Sequence, residues 1–523
     1  MTATLQEQLN RGAKLLQTGQ VEEALELARE LLSQYQGHQA VHLFAADASS
    51  LNGYHKAAIE CLDVIPNGQR HPAVLVRKAE LLFSTGQRRA ALETARAAAE
   101  IVGSDESQLR SVARLYTDCQ DLEGARALLL QAQERLPDSP QILYDLALSE
   151  FHLNLPEEAE RHIDLLLQTV PAHAGALHLR SAVRTQSAER NHIDDLQERL
   201  RASSQPGNLV AAANFALAKE YEDLARYEES FTALEKGTSA YRQMLSYDGK
   251  TELASHAGIR KQFTPQAYES LSAGFEDKSP VFVIGMPRTG TTLVERMLSS
   301  HSQVMSLGEF TDFPRLLTEM IRAKAAELGS VPSGQDLTLS LDFDQLGERY
   351  VASARQIAGD SPRFVDKLPY NFLYCGYIAA SLPNAKLIHL TRDPLDTCYA
   401  VYKTLFFRAY SYSYRLDELA DYYISYRKHM QHWHEVLPGR IIDVNYEQLV
   451  QAPEEQARRI VSCCDLPWED AVLDFHAQES PAMTASAMQV RNPVNTQSIG
   501  AWRRAGGSFN RLRERLQEAG LVS

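Results

Sequence analysis

A short pattern returns at a nearly constant interval through the first half of this 523-residue chain, and it limits what the chain can fold into. The pattern is a small or turn residue, then charged residues, then alanine five positions on. It reads Gly19-Gln-Val-Glu-Glu-Ala24, Gly53-Tyr-His-Lys-Ala-Ala58, Gly86-Gln-Arg-Arg-Ala-Ala91, Gln120-Asp-Leu-Glu-Gly-Ala125 and Asn154-Leu-Pro-Glu-Glu-Ala159. From alanine to alanine the steps are 34, 33, 34 and 34. A weaker copy, Ala225-Arg-Tyr-Glu-Glu-Ser230, ends 71 residues beyond Ala159 and leaves room for one degenerate unit. A unit of this length cannot bury a core alone, so neighbouring units must stack.

The apolar spacing predicts two helices per unit. Leu5, Leu9, Ala13 and Leu16 fall on one face of a first helix; Val21, Ala24, Leu25, Ala28 and Leu32 line a second. Gly19 sits between them, where a helix commonly ends in a left-handed residue. Pro137 and Pro171 fall where second helices should stop. On these residues the region resembles the tetratricopeptide family over roughly residues 1–235, which implies a stacked helical solenoid with a concave face.

Bulk properties narrow the function classes. Hydrophobic residues at 44% and charged residues at 23% describe a soluble globular chain, and the net charge of −14 argues against whole-surface binding to nucleic acid. Cys61, Cys119, Cys375, Cys398, Cys463 and Cys464 show neither CxxC nor Cys/His spacing; thiols in a reducing compartment explain them better than disulfides or zinc. The first residues show no basic-then-apolar leader, and no apolar run approaches the roughly 20 residues that span a bilayer. The expected location is the cytoplasm.

From about Ser279 the text changes to apolar runs separated by helical stretches. Strands are expected at Val281–Gly285, Phe364–Asp366, Lys386–Thr391 and Arg440–Asn445, with helices near Thr291–Ser300, from Pro394 and from Glu454. That alternation predicts a parallel α/β sheet with ligands bound beyond the carboxyl ends of its strands.

The first strand runs straight into Gly285-Met-Pro287-Arg288-Thr289-Gly290-Thr291-Thr292, then a helix. Such a loop aims backbone N–H groups and the positive helix end at an anion. Its GxxxxG spacing is that of a Walker A loop, but Thr291 stands where an NTPase or kinase needs lysine. A second signature, Leu390-Thr-Arg392-Asp-Pro-Leu-Asp396, reads locally as a helix start: Asp393 the N-cap, Pro394 the first helical residue, Asp396 a capping-box partner. That leaves Arg392, at the end of a buried strand, without a structural role.

The loop without lysine resembles the 5′-phosphosulfate loop of sulfotransferases, and Arg392 matches the arginine that binds the 3′-phosphate of their donor, 3′-phosphoadenosine 5′-phosphosulfate (PAPS). The resemblance is to the tyrosylprotein and bacterial repeat-containing sulfotransferases and covers most of residues 279–505. It includes Asp366-Lys367-Leu-Pro-Tyr-Asn371, Tyr446-Glu-Gln-Leu and Ser486-Ala-Met-Gln-Val-Arg-Asn-Pro493, ending in Gly500-Ala-Trp-Arg503. The family's serine eight residues after the arginine is here Ala400.

The resemblance implies a tetratricopeptide-like α-solenoid over 1–240, a connecting helical segment over 241–278 and a P-loop-type α/β sulfotransferase domain over 279–523. It implies Glu309 as the base, with His301 in register, Lys367 stabilising charge on the leaving phosphate, and Ser486 near the sulfonate. Pro287, Arg288, Thr289, Gly290, Thr291, Thr292 and Arg392 would bind the donor; Tyr446 would contact adenine, or be core, and Arg503 would reach the 3′-phosphate, or be an ordinary helix-end cation.

No metal-ligand cluster is visible in the sequence, and the chemistry requires none. The acceptor is a peptide tyrosine or a small hydroxylated molecule, walled by the aromatic stretch Tyr399, Tyr402, Phe406, Phe407, Tyr410, Tyr412 and Tyr414 if that stretch is not core packing. The repeats would bind a protein partner or self-associate. A P-loop kinase and a catalytically inactive scaffold that binds PAP, the desulfated donor, are the alternatives.

Overall fold

The computed structural model describes residues 4–65, 67–68, 71–202, 207–328, 337, 339–477 and 493–522. The chain divides into two compact units, Met1–Leu153 and Asn154–Ser523.

The first unit consists of helix pairs in the expected rhythm: Leu5–Gln17 with Val21–Gln34, Gln39–Leu51 with His55–Asp63, Pro72–Ser84 with Arg88–Ile101, Glu106–Asp118 with Leu122–Arg135, then Pro140–His152. The residue that opens each repeat motif is left-handed, with φ of 77° at Gly19, 82° at Gly53, 79° at Gly86 and 66° at Gln120. Five motif alanines, Ala24, Ala58, Ala91, Ala125 and Ala159, are 0% exposed, because only a methyl group fits where the helices touch. One detail of the first helix differs from the sequence reading. Ala13 is exposed, and Gly12 faces inward instead, where a Cβ would lie 2.4 Å from Phe44 Cζ.

The second unit opens with helices Pro156–Thr169, Ala174–Ala182, Ile193–Ala202, Asn208–Asp223 and Tyr227–Gln243. Helices Ala174–Ala182 and Ile193–Ala202 are the degenerate repeat that the spacing left room for. Asn154 and Ala225 are again left-handed. Helix Gly249–Gln262 follows, and its buried His256 meets Ser425 Oγ at 3.1 Å on helix Leu416–Val436.

Five parallel strands then form one sheet in the order β2-β3-β1-β4-β5: β1 Pro280–Gly285, β2 Val304–Ser306, β3 Arg363–Asp366, β4 Lys386–Thr391 and β5 Ile441–Asn445. Central β1 is buried along its whole length and pairs Val283 with Ile388 of β4. One face packs Val281 and Val283 against Val294, Met297 and Leu298, together with Leu449, Ile460 and Val461. On the other, Phe282 stacks on Tyr350 at 5.4 Å. Strand β2, only three residues long, is absent from the sequence reading because it is too short to show a period. The chain crosses β1 between β3 and β4, so the carboxyl end of β1 is the switch point where ligand crevices form.

Candidate active site

At that switch point the loop after β1 closes tightly. A Cβ on Gly285 would stand 2.9 Å from the Leu390 carbonyl of β4. The backbone then passes through two left-handed residues, Arg288 at φ 67° and Gly290 at φ 101°, before helix Thr291–Ser299 begins. Gly290 is the N-cap and offers no side chain, while the Thr289 hydroxyl donates back to Met286 O at 2.7 Å. The first-turn N–H groups therefore have no side-chain cap among the described residues, at a positive helix end. Pro287, Thr289, Thr291 and Thr292 are buried around them. Burial, and then repulsion from Arg392, hold the Arg288 guanidinium down to about 10.

Arg392 follows β4 and is 9% exposed. Its Nη1 donates to Arg288 O at 2.8 Å, its Nη2 donates to Ser498 O at 2.8 Å, and its plane lies 4.7 Å from the Tyr446 ring centre. Its buried Nε has no partner among the described residues. Tyr446 is half-buried, packs against the core cluster beneath the sheet, and its hydroxyl shares a 2.8 Å hydrogen bond with Ser498 Oγ. The ring lies on the loop: a Cβ on Gly290 would be 2.6 Å from Tyr446 Cδ2. Arg288, Gly290, Arg392 and Tyr446 thus converge in one cationic cluster at the end of β1.

The helix after Arg392 starts as expected at Asp393, whose carboxylate accepts from Asp396 N at 2.9 Å. Asp396 itself closes no capping box. The Asp393 N–H it would have taken donates to Glu447 at 2.9 Å. Asp396 instead accepts from Gly500 N at 2.6 Å and Trp502 N at 3.0 Å, clamping a distant strap. Ala400 is buried in this helix.

The loop after β3 supplies the second cluster. Lys367, 1% exposed, donates from Nζ to Glu309 Oε1 at 2.7 Å and lies 3.8 Å from Glu295 Oε2. Its backbone N–H donates to Gly308 O at 2.9 Å, which ties the two loops together. The Ser306 hydroxyl donates to Glu295 Oε1 at 2.6 Å. Glu309 keeps 44% of its side chain exposed, so its carboxylate faces the open side. Behind it, the buried Asp366 accepts from Tyr350 at 2.8 Å and from Asn371 at 3.3 Å; burial pushes its carboxyl well up.

Glu295 is absent from the sequence reading, although a glutamate among Leu293, Val294, Met297 and Leu298 on a buried helix was a signal. His301 is structural: Nε2 donates to Pro467 O at 2.8 Å and Nδ1 accepts from Gln303 N at 3.1 Å.

With this geometry in place, comparison with known proteins gives a family. Residues 280–470 match the sequence profile of the Sulfotransferase family. That segment, which holds the sheet and both clusters just described, is similar to a sulfotransferase domain. A protein of Aquifex aeolicus (strain VF5) described as uncharacterized is 32% identical over 403 residues, 75% of this chain and 52% of its own length. The protein-tyrosine sulfotransferase of Drosophila melanogaster is 25% identical over 283 residues, 50% of this chain and 54% of its own. Protein-tyrosine sulfotransferase A of Caenorhabditis elegans is 27% identical over 249 residues, 44% of this chain and 62% of its own. The chain thus spans about half to three-fifths of the length of these relatives.

The other expected residues of the sulfotransferase domain fall as follows. Arg503 is exposed, its guanidinium 5.0 Å from the Trp502 ring centre, on the strap that Asp396 holds. Ser486 lies outside the described residues. In the aromatic stretch, Tyr399, Tyr402, Tyr412 and Tyr414 are core. Tyr410 differs: burial, then the nearby Glu309 carboxylate, push its phenol up. A cavity of about 430 Å³ lies beside it, lined by Tyr247, Glu252, Arg408 and Ser411 among others.

One cluster has no counterpart in the sequence reading. His389, His434 and Asp443 bring ligand-type atoms within 4.8 Å of one another. Both ring nitrogens of His389 are already engaged there, by Asp443 at 2.6 Å and by the Tyr426 hydroxyl at 2.5 Å.

Proposed function

We propose that this chain transfers a sulfuryl group from PAPS to a hydroxyl acceptor. The observation that carries the reading is the buried Arg392 guanidinium, with an Nε lacking a partner among the described residues, beside Arg288 and a helix start whose N-cap glycine offers no side chain. A buried donor without an acceptor is costly, and two adjoining guanidinium groups repel; an anion with two separated phosphate groups relieves both. The cluster therefore fits the donor. The Gly290 backbone, Thr291 and Thr292 would hold the 5′-phosphosulfate, Arg392 the 3′-phosphate, and the Tyr446 ring the base. Ser498, hydrogen-bonded to both Tyr446 and Arg392, would share the role vacated at Ala400. Thr291 in place of the kinase lysine disfavours triphosphate chemistry.

In the reaction the acceptor oxygen bonds to sulfur while the sulfur–oxygen bond to the 5′-phosphate breaks, and the acceptor proton goes to a base. Glu309 is that base: its half-exposed carboxylate faces the open side, and the Tyr410 phenol lies in its field. Lys367, held between Glu309 and Glu295, is positioned to turn toward charge developing on the leaving phosphate. Such a base contributes about 10²–10⁴-fold.

The named relatives favour a peptide tyrosine as acceptor, with the repeats presenting a protein substrate or partner. Residues 1–240 would serve as recruiting array and 279–523 as catalytic domain. The six free cysteines fit a reducing cytoplasm. Labelled PAPS with a panel of tyrosine peptides, phenols and carbohydrates tests the reading. Transfer is expected, and Glu309→Ala and Lys367→Ala should each lose it at least a hundredfold while still binding PAP. No transfer to any acceptor by folded protein would refute the reading.

A further inference from the structure

We propose that Glu222, on repeat helix Asn208–Asp223, is a positioning residue that holds the donor-site strap in place, so that the last repeats form part of the donor site. This rests on the donor reading above.

The strap is the segment from Gln497 to Arg504, fixed to the cationic cluster along its length. Ser498 O accepts from Arg392, Ser498 Oγ meets Tyr446, and the N–H groups of Gly500 and Trp502 are taken by Asp396. Its far end is held by Arg504. That guanidinium donates to Gln497 O at 3.0 Å, which closes the strap on itself. It also donates to Glu222 Oε1 at 3.1 Å and lies 5.3 Å from the ring centre of Tyr227 on the next repeat helix.

The same carboxylate accepts from Lys403 Nζ at 2.8 Å through both oxygens. Lys403 is the C-cap of helix Pro394–Tyr402, which begins directly after Arg392 and its N-cap Asp393. One repeat carboxylate therefore joins the far end of the Arg392 helix to the far end of the strap, and the donor-facing residues lie between these two anchors.

The chemistry of Glu222 agrees with that placement. Burial alone would push its carboxyl up, but the Lys403 ammonium and the Arg504 guanidinium outweigh burial and hold it below its ordinary value. It stays charged, and its field also reaches Arg288. Neighbouring Glu220 has different partners: it accepts from Ser181 Oγ and His192 N, both at 2.6 Å, within the repeats.

Charge and position make opposite predictions here. Glu222→Gln removes a negative charge whose field reaches Arg288 of the proposed donor site, so electrostatics alone would tighten donor binding. Loss of the clamp would loosen it. Titration calorimetry with PAP on the full-length chain separates the two. We expect Glu222→Gln to weaken PAP about tenfold and to raise the KM for PAPS, with the acceptor KM unchanged. Glu220→Gln, which disturbs the repeats but not the strap, should keep wild-type PAP affinity even where its melting temperature falls. If Glu222→Gln does not fold, Glu222→Asp replaces it: it keeps the charge but shortens the reach to Lys403 and Arg504, so it should show the same loss.

Wild-type affinity in Glu222→Gln or its replacement, tighter binding, or an equal loss in Glu220→Gln overturns the clamp while leaving the donor reading intact. A wild-type protein that does not bind PAP overturns both.

Discussion

The helices before Leu153 and those from Asn208 to Gln243 obey the same repeat arithmetic but spend their polar side chains differently. In the first unit, ion pairs link successive repeats at the surface: Arg96 with Asp121 at 2.7 Å, Arg110 with Asp145 at 2.6 Å and Arg114 with Glu80 at 3.1 Å. The arginines are 57%, 39% and 64% exposed, where a pair contributes about 0–1 kcal/mol. In the second unit several charged groups turn instead toward the segments around the sheet. Arg242 pairs with Glu418 at 2.7 Å, their side chains 19% and 18% exposed, and Glu222 holds Lys403 and Arg504. Aromatic rings follow: Phe215 meets Tyr414, and Phe231 stacks on Tyr402. A repeat period reports how helices stack; what their remaining faces bind is written outside the period.

The largest way to break this contrast is Phe231→Ala. Phe231 is 5% exposed and packs on Tyr402 and Phe509, so its loss should cost the second unit about 3–5 kcal/mol. Urea unfolding followed by a probe in each unit should show only the second transition move. A shift of the first transition alone would dissolve the distinction.

Acid sharpens it next. Burial holds His256 down to about 4 and His429 down to about 3 in the second unit, against an ordinary value near 6.5. Between those values the unfolded chain binds more protons than the folded one. Stability is therefore full above pH 6.5 and falls as the pH drops toward 4, by up to about 2 kcal/mol per histidine at pH 5. Equilibrium unfolding at pH 7 and pH 5 measures this; greater stability at pH 5 would contradict it.

The smallest effect lies in the first unit. Gln120 is left-handed where three other repeats carry glycine, so Gln120→Gly should raise stability by about 1 kcal/mol, read as a higher first midpoint. A lower midpoint would mean that the glutamine side chain contributes more than its backbone strain costs.

How much of this was readable before the fold depends on where the partners lie. The anion loop is local, running from strand through turn to helix in one short stretch, and it emerged with the left-handed Gly290 that such a turn needs. The motif alanines were legible because each repeats the same contact. Asp396 shows the limit. Its local reading as a capping-box residue failed because the N–H it would have bonded is taken by Glu447, and because Gly500 and Trp502 claim its carboxylate. Ser498 and Glu222 acquire their partners only when segments distant in sequence meet, and β2 is too short for any periodicity to show.

Arg392 as the reader of a second phosphate is the claim on which the donor site stands. Titration calorimetry should find that the wild-type chain binds PAP at one site and binds 5′-AMP at least tenfold more weakly, and that Arg392→Ala removes the difference. Equal affinity for the two nucleotides in the wild type, or full preference for PAP in Arg392→Ala, would contradict it.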